Sequence, residues 1–332
     1  NNARLFGLRA GFRPGDRMVT AMPFFHTAGN VLDVLGLLAH GGTLVKAVQF
    51  DPLKLLQLVE QERATILHGV PTMLIAMLQH PQAAEFDTRS LRLVLSGGTP
   101  IPVPVLEQVK RQFGADPVIG FGMTEASPMV TGTPASDSFE LKSATVGKPL
   151  AHVSVQIVDV NNQPVALGQV GELLVKGFGV MKGYYRMPEK TTEAIADGWL
   201  HSGDLATMDA AGYIRIAGRI KDMIIRGGEN VYPAEVESFL MRHPAIKQAQ
   251  IVGIPDPYMG EEAAAFIQTR EGHTLSAAEV EAYCRANISR HKLPKYIRFV
   301  DTYPLTPSGK VKKFDLRDQL VAALKEEESH LA

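Results

Sequence analysis

Leu91-Arg92-Leu93-Val94-Leu95-Ser96-Gly97-Gly98 and, some twenty residues on, Pro117-Val118-Ile119-Gly120-Phe121-Gly122-Met123-Thr124-Glu125 are the stretches whose reading decides the fold. The first is an apolar run ending in glycines, which predicts a buried strand over Leu91–Leu95. Between the two, Val105 to Phe113 reads as a helix stopped by Gly114, and Pro117 to Gly120 is the next strand. Strand, helix, strand at this spacing predicts an α/β layer with parallel strands. Ligand sites in such layers lie beyond the carboxyl ends of the strands, where both glycine clusters fall. Working upstream, Asp51-Pro52 is an N-cap and first-turn signal for a helix carrying Leu55, Leu56 and Val59, and Thr65-Ile66-Leu67-His68 is a further strand.

Downstream the pattern changes. Val153–Ile157 and Glu172–Val175 alternate and are joined by the turn-rich Asn161-Asn162 and Gly168, which predicts an antiparallel, β-rich subdomain over 150–218. Tyr213–Ile216 and Met223–Ile225 flank a polar Gly218-Arg219-Ile220-Lys221-Asp222, which places the expected domain boundary at 219–222. Residues 223–332 have strand and helix signals of their own and read as a small α+β domain. Within it a capping box from Ser276 to Glu279 opens a helix with Val280, Tyr283, Cys284 and Ile288 on one face. Lys325 to Glu328 reads as a solvated helix end.

The 332 residues are 45% hydrophobic and 21% charged with a formal net charge of −1, which fits a two-domain globular protein and offers no field for nucleic acid or an anionic membrane. The most apolar run, Val31 to Ala39, is broken by Asp33 and Gly36 and falls short of the roughly 20 residues of a spanning helix. One cysteine, Cys284, excludes an internal disulfide framework and suits a reducing compartment, so a cytoplasmic location is expected. At its place on a helix face it reads as core, not as a reactive thiol.

Five stretches carry candidate chemistry. In Gly120-Phe121-Gly122-Met123-Thr124-Glu125, glycines let backbone approach a ring or phosphate, and a hydroxyl and a carboxylate follow; such a carboxylate suits Mg²⁺. Gly198-Trp199-Leu200-His201-Ser202-Gly203-Asp204 ends in an acid able to accept from both ribose hydroxyls. Gly218-Arg219-Ile220-Lys221-Asp222 offers a permanently charged fork. Pro304-Leu305-Thr306-Pro307-Ser308-Gly309-Lys310 sets a lysine in a loop whose composition suppresses regular structure. Pro23-Phe24-Phe25-His26-Thr27-Ala28-Gly29 places an imidazole among aromatics. Taken singly, each is better read as a turn, a surface ion pair, a solvated basic hairpin or a core histidine.

Together, and in this order, the five resemble the adenylate-forming superfamily of acyl-CoA synthetases, luciferases and peptide-synthetase adenylation domains, along with Gly-Gly-Glu-Asn-Val-Tyr-Pro at 227–233. The wording is most similar to medium-chain fatty acyl-CoA synthetases. The resemblance implies a large AMP-binding domain, of which 1–218 is the C-terminal part, followed by a small lid. It implies that Asp204 and Arg219 hold the ribose, and that Gly97, Gly98, Thr99, Gly120, Phe121, Gly122 and Met123 surround the nucleotide. Thr124 and Glu125 serve phosphate and Mg²⁺, with Glu125 as metal ligand. Lys310 is the lysine that stabilises charge when the acid attacks the α-phosphate. Lys221 is the hinge about which the lid rotates, Gly228 lines the thiol tunnel, and His26 stands at the acyl pocket. ATP, Mg²⁺ and CoA are the implied cofactors and co-substrates.

The family's Ser/Thr/Gly-rich phosphate loop ending in Pro-Lys-Gly is absent from these residues. The expectation is therefore a chain that begins after that loop, with open sheet edges covered by the missing N-terminal segment or another chain. Mixed with ATP, Mg²⁺ and an acid, the chain alone is expected to release little or no pyrophosphate. No acidic group adjoins His26, and Phe24, Phe25, Val31, Phe121 and Met123 favour an apolar carboxylic acid. Two alternatives remain at this level: a non-catalytic AMP- or CoA-binding fragment, and an enzyme that loads a carrier protein.

Overall fold

The computed structural model describes residues 1–99 and 101–331, with side chains to residue 327; Pro100, Ala332 and the Glu328 side chain lie outside the described residues. Two compact units follow one another, Asn1–Ile216 and Ala217–Ala332.

The first unit is built on strands β1 (Arg17–Thr20), β2 (Thr43–Lys46), β3 (Ile66–His68), β4 (Leu93–Gly97), β5 (Asp116–Gly122), β6 (Met129–Gly132) and β7 (Lys148–Pro149), in the order β2-β1-β3-β4-β5-β6-β7. The first five are parallel and the last two antiparallel. Alternation along each strand sends Val19, Leu67 and Val94 into one buried layer and Met18, Ile66, Leu93 and Leu95 into the other. Both faces are covered, which is why the parallel strands read as continuous apolar runs. The helix Pro52–Gln61 follows the sequence signal: Asp51 accepts from the Lys54 N–H at 2.8 Å, and Leu55, Leu56 and Val59 are buried. Val103–Gln108 continues as a π-helical turn, Val109–Phe113, up to Gly114 in the left-handed region.

Two strand limits differ from the sequence reading, each for a definable reason. The Leu91 N–H closes a turn onto the Thr88 carbonyl, so β4 starts at Leu93; it extends through Ser96 and Gly97, which pair with Ile119 and Gly120. β5 runs on to Gly122 because antiparallel β6 supplies partners, Gly132, Thr131 and Met129, for its glycine end.

At the amino ends of the parallel strands, buried Asp16 ties several elements together. Its carboxylate accepts from the Arg13 N–H at 2.7 Å, the Thr65 hydroxyl at 2.8 Å and Arg92 Nε at 3.0 Å. Burial opposes its charge, yet the Arg92 guanidinium, the Arg13 N–H and the Thr65 hydroxyl together hold its pKa below the ordinary value. A depressed folded-state pKa means the contribution is present above the unfolded carboxylate range near pH 4 and is lost as pH falls through the folded value. Asp16→Asn is therefore expected to lower unfolding free energy by about 3 kcal/mol at pH 7, since Arg92 loses its buried partner. Urea titrations should show that deficit shrinking below pH 4; an equal deficit at pH 7 and pH 3 would contradict it.

The second sheet comprises β8 (Val153–Val158), β9 (Gly171–Gly177), β10 (Ile195–Ala196), β11 (Trp199–Met208) and β12 (Ile214–Arg219), in the order β10-β11-β9-β8 with β12 also paired to β11; the last three residues of β12 already belong to the second unit. Its pairings of β8 with β9, β9 with β11 and β10 with β11 are antiparallel.

The second unit has β13 (Ile224–Arg226), β14 (Glu229–Val231), β15 (Ile246–Asp256), β16 (Gly260–Thr269) and β17 (Tyr296–Phe299) in a third sheet. Its core gathers Ile224, Val236, Leu240, Ile251, Ala265 and Val280. The helix Ala277–Asn287 has the full capping box, Ser276 with Glu279. Cys284 is buried in that core, and burial, with Glu281 adding to it, pushes its thiol up to about 11. Such a thiol is inert near neutral pH. Lys325, Glu326 and Glu327 are exposed on the last helix, Lys313–Leu331.

Candidate active site

Three of the predicted loops leave the carboxyl end of the same parallel sheet. Thr20, His68 and Leu95 are register neighbours across β1, β3 and β4, and Gly97 faces Gly120 across β4 and β5. The His26 loop, the Gly97-Gly98-Thr99 segment and the Gly120–Glu125 segment therefore issue on one side of the layer.

Protein packing explains three of the glycines. A Cβ on Gly97 would stand 2.4 Å from the Gly120 carbonyl oxygen, and one on Gly122 would stand 2.1 Å from that of Pro128. At Gly120 the obstacle is Met129 Cε at 2.1 Å, with Phe6 next. Gly98 differs, since its φ of 79° lies in the left-handed region. The close approach at these strand ends is required by the β4–β5–β6 junction itself.

Beyond β5 the chain makes a 3₁₀ turn, Thr124–Ala126, and Ser127 adopts φ of 65°. The segment 179–184 clamps this turn. The Met181 N–H donates to the Glu125 carbonyl at 2.8 Å, the Ser127 hydroxyl to the Gly179 carbonyl at 2.7 Å, and the Tyr184 hydroxyl to Glu125 Oε1 at 2.9 Å. Burial first, and then the Glu125 carboxylate, push the Tyr184 phenol above its ordinary pKa, so it remains a donor. Thr124 is exposed and Glu125 half-buried. Among the described residues no group of three or more His, Cys, Asp or Glu could hold a metal. Glu125 offers a single half-buried carboxylate, a donor set that fits Mg²⁺, which takes one or two carboxylates and completes its shell with other oxygens and water.

Phe121 and Met123 pack on a cluster containing Ala126, Val130, Val175 and Leu200, which seats the second sheet beside the end of β5. Asp204 lies on that sheet, in β11, and is 8% exposed. Between the pairs His201–Leu174 and Leu205–Glu172 the register shifts, so that Ser202, Gly203 and Asp204 face Leu173 alone. The Asp204 N–H donates to the Ser202 hydroxyl at 3.1 Å. Glu172, which carried no signal beyond its strand, accepts from the Gly203 N–H at 3.0 Å and is 2.9 Å from His201 Nδ1.

His26 is half-buried in a loop folded back on itself. Its Nδ1 accepts from the Ala28 N–H at 3.1 Å, its own N–H donates to the Pro23 carbonyl at 3.1 Å, and a Cβ on Gly29 would stand 2.3 Å from that same oxygen. Phe25, expected to line a pocket, is 77% exposed, and Phe24 carries Lys46 Nζ at 5.3 Å from its ring centre. The sequence showed the acid of this region, Asp33, only as a break in an apolar run seven residues beyond His26. Asp33, on the π-helical segment Ala28–Leu35, is fully buried, with Oδ1 2.5 Å from Nδ1 of buried His68. Burial pushes the Lys46 ammonium down while the Asp33 carboxylate opposes the shift. An aspartate inside an apolar run was the available signal, because a buried charge needs a partner.

The remaining candidates belong to the second unit. Arg219 ends β12 and is exposed; Lys221 follows in the single 3₁₀ turn Ile220–Asp222, which buries no residue and leads to β13. Gly228 has φ of 85° with open space around its missing Cβ, so its requirement is conformational. Beside it, Arg226 donates through Nη1 to the carbonyls of Arg290 and His291 at 3.0 Å. The Lys310 loop is more ordered than its composition implies. Leu305 bridges Val311, the Thr306 N–H donates to the Lys310 carbonyl at 2.7 Å, and the Lys310 N–H returns to the Thr306 hydroxyl at 3.0 Å.

A unit with parallel strands ending in glycine-rich turns, an antiparallel sheet carrying a bulged aspartate, and a second unit with a lysine hairpin together define the architecture of an adenylate-forming enzyme. Residues 1–185 match the AMP-binding enzyme family and residues 235–310 match the C-terminal domain of AMP-binding enzymes; the chain belongs to this family. It is 47% identical over 324 residues, 97% of its length, to the YngI protein of Bacillus subtilis, whose name places it provisionally among the acyl-CoA synthetases. It is 39% identical over 98% of its length to the mitochondrial medium-chain acyl-CoA ligase ACSF2 of Mus musculus. Among solved structures it is similar to ATP-bound MatB of Rhodopseudomonas palustris, with a TM-score of 0.90 and 34% identity over 96% of this chain and 63% of that one. The chain spans 59% and 54% of the lengths of the two relatives.

Proposed function

We propose that this chain carries the nucleotide, acid and thiol chemistry of an AMP-forming acid–thiol ligase acting on an apolar, medium-chain carboxylic acid. In the first step a carboxylate oxygen attacks the α-phosphorus of ATP, forming acyl-AMP and expelling pyrophosphate. In the second the CoA sulfur attacks the acyl carbon, its proton passes to solvent, and AMP leaves. The observation that carries this reading is the likeness to an acyl-CoA synthetase at 47% identity along 97% of the chain.

In this scheme Asp204 accepts from the ribose hydroxyls and Arg219 supplies a fixed charge to ribose or phosphate oxygens. The segments 97–99 and 120–123 surround the nucleotide, and Thr124 donates to phosphate. Glu125, aimed by Tyr184, would hold Mg²⁺, which supplies charge neutralisation on the phosphate oxygens when bound. Lys310 stabilises the charge that builds on the α-phosphoryl oxygens during attack. His26 orients the acid. Lys221 is the pivot that lets the second unit exchange the Lys310 surface for the one bearing Gly228, which admits the pantetheine arm. Among the described residues no helix is long and apolar enough to cross a membrane; a reducing, cytoplasmic setting is part of the proposal.

The test supplies preformed acyl-adenylates with acyl chains of two to about twelve carbons, together with CoA, so that the grip on pyrophosphate is not needed. Acyl-CoA and AMP are expected, with the longer chains transferred faster than acetyl because each buried methylene contributes about 0.8 kcal/mol. Transfer to a phosphopantetheine-bearing carrier protein but not to free CoA would replace this reading with carrier loading. AMP binding without any transfer would leave a nucleotide-binding fragment.

A further inference from the structure

We infer that Glu172 is a positioning residue for the ribose, acting through the β11 bulge that presents Asp204. The inference rests on the proposed role of Asp204 in holding the ribose hydroxyls.

A bulge that sets three residues against one interrupts the ladder and leaves backbone groups to be satisfied by other means. Here one carboxylate takes both sides of the interruption. Glu172 Oε1 accepts the Gly203 N–H in the middle of the bulge at 3.0 Å. Its Oε2 is 2.9 Å from Nδ1 of His201, the last residue paired before the shift. Both side chains are largely buried, at 18% and 21% exposure, so these charge-assisted bonds are sheltered from water.

Packing does not offer a substitute. Gly203 sits at φ of 71°, in the left-handed region, and a Cβ built on it meets nothing within 4 Å. The hydrogen bonds of the bulge therefore hold this turn without a side-chain contact at Gly203. The next residue is Asp204, whose N–H is turned onto the Ser202 hydroxyl, so the Ser202–Gly203 peptide that Glu172 anchors stands one residue before Asp204 and the following peptide is tied back to Ser202. A carboxylate that accepts from two ribose hydroxyls must be held within about 0.5 Å of the productive position. Loss of Glu172 frees the bulge and blurs that placement, without removing any group that touches the nucleotide.

The experiment compares binding of AMP and of its 2′,3′-dideoxy counterpart by isothermal titration calorimetry, in the 332-residue chain and its variants. The wild-type chain is expected to favour AMP by at least about tenfold, the scale of losing hydrogen bonds to a charged acceptor. Glu172→Ala should bring the two affinities to within about threefold of each other, while affinity for the dideoxy nucleotide stays near the wild-type value. Glu172→Gln should fall between, because its amide oxygen can still accept from Gly203 but its amide nitrogen cannot accept from His201. Should the alanine variant not fold, the glutamine variant decides. A wild-type preference retained in the Glu172 variants, with Asp204→Ala abolishing it, overturns the positioning role and leaves the ribose role of Asp204 standing. No AMP preference in the wild-type chain, or one that Asp204→Ala leaves intact, overturns both.

Discussion

Lys310→Ala, in a form of the protein that carries the phosphate-gripping loop, is expected to slow acyl-adenylate formation by about a hundred- to a thousandfold, the range for removing one preorganised charge stabiliser. The same variant should form thioester from supplied acyl-adenylate and CoA at a rate within about threefold of the parent, because in the proposed scheme the Lys310 surface has by then been exchanged for the one bearing Gly228. The split between the two half-reactions is what identifies the lysine. A merely structural lysine would depress both steps together, and here the hairpin has its own backbone support. Thr306 and Lys310 exchange one main-chain bond and one from the Lys310 N–H to the Thr306 hydroxyl, Leu305 bridges Val311, and Gly309 turns at φ of 81°. None of these bonds uses the ammonium, so they are retained in Lys310→Ala. Pyrophosphate exchange within threefold of the parent would remove Lys310 from the first step.

Gly97→Ala is expected to destabilise the first unit by about 3 kcal/mol and to lower its melting temperature by about 6–12 °C. The added Cβ would lie 2.4 Å from the Gly120 oxygen, a backbone atom held in the β4–β5 ladder, so no side-chain rotation can relieve it. The strands must separate at the point where both glycine-rich loops begin, and AMP binding should fall in parallel. Gly120→Ala is the informative comparison. Its nearest obstacle is the tip of Met129, a flexible side chain, with Phe6 behind it, so a smaller loss is expected. Equal melting temperatures for Gly97→Ala and the wild type would show that the β4–β5 junction tolerates the methyl group.

The parallel layer was legible in the sequence because its causes are local. Asp51 and Pro52 start a helix, Gly114 stops one, and strands buried on both faces read as apolar runs. The candidate site was legible as a set of short stretches for a similar reason. Glycines, a hydroxyl, a carboxylate and a lysine declare their chemistry by type, and their order along the chain carries the family resemblance.

What could not be read depended on partners far away along the chain. Asp33 looked like an interruption of an apolar run, and only the fold brings it to His68, 35 residues on. Phe24 and Phe25 read as pocket lining, yet nothing local says which side of the loop is wet, and Phe25 is mostly exposed. Glu172 looked like any strand glutamate until the antiparallel pairing set it against His201 and Gly203.

By itself, then, the sequence determined the elements, the two-part organisation and the chemical types at the candidate site, because propensity, periodicity and residue chemistry act over a few residues. The tertiary structure alone decided which glycines are needed for packing, which carboxylates are buried and paired, and what holds Asp204 in its bulge. Those are consequences of register and burial, and both arise only when segments distant in the chain come together.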